Sequence, residues 1–249
     1  MTAALLTLAD SRLPAGGHAH SGGVEQAIAA GVVHDPGSLA SFLRRRLATS
    51  GAVAAGLAAA ACAAIGSDDG GPEGPHRRDE RRSTQDGDGT WPRCCPEGDR
   101  VIAALDAEAD ARTPSPALRA ASRQQGRGLV RVGRRAWPSS AWDALPALPH
   151  HPIALGVAAA VAGLGPRDAA QVAAYLSITG PATAAQRLLA MDPLTVAAVT
   201  ARLAPEIDAV AAAGEGRNGH FCPLSAATDP LLDLLAEVHA ARKDRYFAS

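Results

Sequence analysis

Apolar residues recur along this chain at helical spacing and are interrupted by short polar breaks rich in Gly, Pro and Asp. Leu39, Phe42, Leu43 and Leu47 fall three and four residues apart, on one face of a helix. Asp35-Pro36 stands before them as a start signal, because Asp caps free N–H groups and the fixed φ of proline suits the first turn. The same Asp-Pro pair opens a run at Asp192 that stops at Gly214. An initial helix over about 2–9 is broken by Pro14 and the glycines after it. A second runs to about Ala30, with Ser21 or Gly22 as its cap, and a fourth, Ala-rich helix starts at Ser50. Pro114 and Pro116 open a further helix, and 150–165 reads as a buried one. Gly180-Pro181 should kink or split the long run that follows, and the last helix covers the C-terminal stretch from about 226 to 249. No segment alternates with period two. The pattern predicts an all-α fold of about ten helices in a single domain over 1–249.

One stretch breaks the pattern. Residues 66–100 are dense in Gly, Pro and charges of both signs and lack apolar periodicity. Such a segment buries too little to offset its ordering entropy and is expected to be a disordered insertion. His76, Cys94 and Cys95 within it are poor site candidates for that reason.

Composition sharpens the helical reading. Hydrophobic residues make up 47% and aromatics only 3%, so the core must be built from Ala, Leu and Val. A formal net charge of −1 provides no field for nucleic acid or an anionic membrane, and neither is expected as a partner. The apolar run 51–65 falls short of the roughly 20 residues of a membrane span and reads as a buried helix. The start lacks a basic stretch before its apolar run, so no signal peptide is expected. Four cysteines form no metal-knuckle spacing, Cys62 reads as a buried inert thiol, and a cytoplasmic protein is expected.

Enzyme templates fail in turn. The only lysine, Lys243, is not in a phosphate loop. There is no Gly-x-Ser-x-Gly elbow and no His-Glu-x-x-His. His18 and His20, two apart, could meet one ion on an extended segment, or one could replace a buried aromatic. The adjacent His150 and His151 read as loop polarity. Arg123, Arg127, Arg131, Arg134 and Arg135 form one basic stripe, either a solvated face or a docking surface. Tyr246 and Phe247 sit with Arg242, Lys243 and Arg245 in a tail that suits an interface or folds back onto its own core.

Three stretches carry a resemblance. "LLTLADSRLPAGGHAHSGGVEQAIAAG" resembles the opening signature of the UreF family of urease accessory proteins. "ASRQQGRGLVRV" is similar to that family's Arg-Gln-x-Gly helix, and "PLLDLLAEVHAARKDRYFAS" to its C-terminal motif. The resemblance implies a dimer-forming, all-helical protein that is not an enzyme. It would bridge the UreD/UreH scaffold, which contacts apo-urease, and the UreG GTPase, which carries nickel. No cofactor would be stably bound; nickel would pass in transit. Carried over by position, the partner-binding set is Pro14, Gly16, Gly17, Ser21, Glu25, Gln124, Arg127, Arg187, His239, Arg245, Tyr246 and Phe247. His18 stands where the family has an aromatic, so His18 and His20 together are this chain's own candidate nickel ligands. The glycines would turn the backbone so that Ser21 and Glu25 face a partner. The other reading is an all-helical enzyme with its site at the Gly-Gly loop.

Overall fold

Capping and small-residue packing shape the helices and bring them together. The computed structural model describes residues 3–10, 13, 19–66, 98–215 and 224–247. The expected disordered insertion falls largely on 67–97, outside the described residues, while its two ends are helical. The helices are α1 (Ala3–Ala9), α2 (Val24–Ala29), α3 (Pro36–Arg46), α4 (Ala52–Gly66), α5 (Gly98–Ala111) and α6 (Pro116–Ala136). They continue with α7 (His151–Val161), α8 (Pro166–Leu188), α9 (Pro193–Arg202), α10 (Ala204–Gly214) and α11 (Pro230–Ala241). No β-strand occurs among the described residues, so the fold is all-α.

The caps follow the sequence at α3 and α9. Asp35 accepts from the Ser38 amide at 2.7 Å in a capping box, and Asp192 accepts from the Thr195 amide at 2.9 Å. At α2 the expectation fails. The cap is Gly23 at φ 85°, and Ser21 contributes only its carbonyl, which accepts from the Val24 amide at 3.2 Å. Glycine is required there because a left-handed residue lets the chain turn sharply into α2.

The centre is α4, packed against α7, α8, α5 and α10. Ala and Gly allow the close crossing. A Cβ on Gly156 of α7 would lie 2.4 Å from the Ala58 carbonyl oxygen and 2.9 Å from the Cys62 amide nitrogen. One core layer holds Leu57, Ile102, Leu129, Trp142, Ile153 and Leu155. A second holds Val24, Leu39, Leu43, Ile178, Leu203 and Leu235. Cys62 is buried, its Sγ donates to the Leu164 carbonyl at 3.4 Å, and burial pushes its thiol up to about 12, so it is inert as expected.

Four boundaries differ from the sequence reading. Ser50 starts no helix: α3 runs through a π-turn, Leu47–Gly51, into α4 as one 31-residue helix. That helix is long and apolar enough to span a membrane by length and composition, but here it is the core helix. Gly180-Pro181 does not split α8, because the Ser177 carbonyl that Pro181 cannot bond accepts from Arg46 Nε at 2.8 Å. The run after Asp192 divides into α9 and α10 around Leu203, where Pro205 opens α10. The last helix stops at Ala241, since Arg242 is extended at ψ 145°.

Candidate partner-binding site

The N-terminal motif and the C-terminal tail, more than two hundred residues apart, meet at one carboxylate. Glu25 lies in the first turn of α2 and is 4% exposed. Its Oε1 accepts from the Tyr246 amide at 2.9 Å, and its Oε2 from the Phe247 amide at 3.0 Å. Oε2 also accepts from His239 Nε2 at 2.9 Å, and that imidazole, on α11, is fully buried. Burial alone would raise the Glu25 pKa; the two amides and the imidazole outweigh it and hold the carboxyl below its ordinary value. Beside this clasp, Arg242 Nη1 donates to Gln26 Oε1 at 3.1 Å.

The clasp sorts the tail. Phe247 turns inward against the second core layer, whereas Tyr246 is 86% exposed and Arg245 is exposed. Both sequence readings of the tail therefore apply, to different side chains. Two further ties fix α11. Glu237 accepts from the Ser115 hydroxyl and from the Ala117 amide at 2.9 Å, and Arg45 grips Asp229 through two bonds of 2.8 Å.

Ser21 and Glu25 do not face outward as expected: Ser21 is fully buried, and Glu25 is spent on the tail. His239 is likewise an internal support. His20 is buried too. Pro14, Gly16, Gly17 and His18 lie outside the described residues. Among the described residues no three His, Cys, Asp or Glu side chains gather to hold a metal ion. His20 instead lies close enough to His151 to disfavour a second positive charge. Burial first, and His20 second, push the His151 pKa down to about 4.

The basic stripe on α6 is divided. Arg123 turns to Asp106 at 3.0 Å and Asp110 at 2.5 Å, and Arg134 turns to Asp143 at 2.8 Å. Arg127, Arg131 and Arg135 stay exposed on the outer face together with Gln124. Gly126, between them, is buried because a Cβ there would lie 2.1 Å from the Pro149 carbonyl oxygen. That crossing packs α6 onto the start of α7.

His150 is not loop polarity. It is 1% exposed, its amide donates to Asp106 at 2.7 Å and its Nε2 donates to Asp110 at 2.9 Å. Nδ1 lies 3.0 Å from the Ser122 hydroxyl. Sequence reasoning missed this Asp106–Asp110–Arg123–His150 network. The visible signal was two aspartates four apart on α5 with an unexplained arginine on the next helix.

A family profile described as UreF matches residues 33–204. "Urease accessory protein UreF" of Mycolicibacterium vanbaalenii is 48% identical over 247 residues, 99% of this chain and 98% of that one. The proteins of that description from Mycobacterium marinum and Mycobacterium tuberculosis strain H37Rv are 47% and 42% identical, each over 99% of this chain and 98% of theirs. The profile stops short of both halves of the clasp, while the relatives span the Gly-rich loop and the tail alike. With a matching profile over most of its length and such relatives along nearly all of it, the chain belongs to the UreF family of urease accessory proteins.

Proposed function

We propose that this protein is a non-catalytic adaptor. In this reading it joins the UreD/UreH scaffold to the UreG GTPase, so that GTP hydrolysis delivers nickel to the active site of apo-urease. Nickel is cargo here, not a resident cofactor. The observation that carries the reading is the tail clasp: a buried carboxylate is used to hold Tyr246 and Arg245 out in solvent. Interfaces favour such Tyr and Arg side chains, and fixing them beforehand lowers the entropy lost on docking. The exposed face of Gln124 and Arg127 on α6, and Arg187 on α8, complete the candidate contact set. The adaptor works as a homodimer in the cytoplasm.

Co-purification of the tagged full chain with the scaffold and the GTPase tests this. Tyr246→Ala combined with Arg245→Ala is expected to weaken capture of the scaffold while the thermal midpoint stays within a degree or two, as for exposed side chains. Undiminished capture would remove the tail from the interface. In the Gly-rich loop, His18 and His20 offer nickel a transient stop. Replacing both by Ala is expected to slow urease activation without unfolding the protein, and wild-type kinetics would sink the relay.

A further inference from the structure

A cavity of about 590 Å³ opens between α3, α4, α6, α7, α8 and α11. Its size is that of a small-molecule site. Val53, Leu57, Leu118, Leu176 and Leu232 give it apolar walls. Arg46 reaches it from the end of α3, where two donors are used: Nε to the Ser177 carbonyl at 2.8 Å and Nη1 to the Gly22 carbonyl at 2.9 Å. Among the described residues the second N–H on Nη1 and both on Nη2 meet no hydrogen-bond acceptor.

Among the described residues no carboxylate bonds to Arg46; its partners are neutral carbonyls. Burial pushes its pKa down to about 10, which still leaves it charged at neutral pH. A part-buried cation whose described partners are all neutral is costly, and an oxyanion arriving there relieves that cost. Arg187 and Arg112 line the same cavity. Of its acidic side chains among the described residues, both on or beside α11, Asp229 is held by Arg45, and the Asp233 carboxyl is raised from its ordinary value by burial and by Asp229 and Glu237. Gly22 keeps space for the guanidinium: a Cβ there would lie 3.0 Å from Arg46 Cζ and 2.8 Å from Pro181 Cγ.

The geometry points to a binding site for a small amphipathic carboxylate, with its oxyanion on Arg46 and its apolar body against Val53, Leu57, Leu118 and Leu176. This stands apart from the adaptor role, since it needs no partner protein. Octanoate and octanol are the probes, matched in chain length and differing in charge, titrated into the full chain by calorimetry. Octanoate is expected to bind at least about tenfold more tightly than octanol, the worth of one charge-assisted hydrogen bond. Arg46→Met should abolish that preference, whereas Arg44→Met, on an exposed arginine paired with Glu206, should keep it. Because Arg46 also braces α8, a variant that fails to fold leaves the wild-type comparison decisive. Ala54→Phe, which narrows the cavity and retains Arg46, should then weaken octanoate. Equal binding of the two probes, or no octanoate binding up to about 10 mM, overturns the proposal.

Discussion

Replacing Glu25 by Gln keeps the shape of the side chain and removes the charge that three donors share. A hydrogen bond to a charged group contributes about 1.5–3 kcal/mol, so three would give about 5–9 kcal/mol if all were lost with nothing regained. Two losses are softened. The Gln oxygen still accepts one amide, and residues 242–247 follow the last helix, so their freed amides can reach water. His239 cannot, being fully buried. The net cost is therefore about 2–3 kcal/mol, borne by the tail and the end of α11. Hydrogen exchange at the Tyr246 and Phe247 amides reads this directly: their protection should drop about 30- to 150-fold in Glu25→Gln. Exchange in α4 should change far less, because opening the tail does not require opening the core. Unchanged protection of the two amides in that variant would refute the clasp.

Acid acts on the clasp as well: the native Glu25 pKa lies below its unfolded value near 4.3, so its stabilisation is present above that pH and is lost as pH falls through the native value. His151 acts earlier. With a native pKa of about 4 against about 6.5 unfolded, the unfolded chain takes up the proton first, and up to about 3 kcal/mol of stability drains away between those values. Urea unfolding of His151→Gln should show a flatter pH profile over that range; an unchanged profile would assign the loss to other groups. Gly126→Ala should destabilise by about 3 kcal/mol, because the added methyl meets the Pro149 carbonyl rather than a movable side chain, and a loss under about 1 kcal/mol would mean that the 149–151 turn can retreat. On the same helix, Arg127→Ala, Arg131→Ala and Arg135→Ala should each move stability by less than about 0.5 kcal/mol, against about 2 kcal/mol or more for Arg123→Ala, which strands Asp106. Equal effects in denaturant melts would contradict the division of the stripe.

Local chemistry in the sequence determined much of this protein. Apolar spacing and the Asp-Pro caps set α3 and α9, the lack of period-two segments set the fold class, and the motifs at both ends carried the family. These are readable because caps and periodicity act within a turn or two. Tertiary structure decided what each motif residue does. Glu25 looks like a polar residue free to meet a partner until the tail is seen to close over it. His150 sits in a Pro-rich loop by sequence and is nonetheless buried on Asp106 and Asp110, because α5 and α6 enclose it. Pro181 should break α8, but Arg46, 135 positions earlier, supplies the donor that proline lacks. In each case the deciding partner is distant in the chain, and no local pattern marks a donor or acceptor that only folding brings within 3 Å.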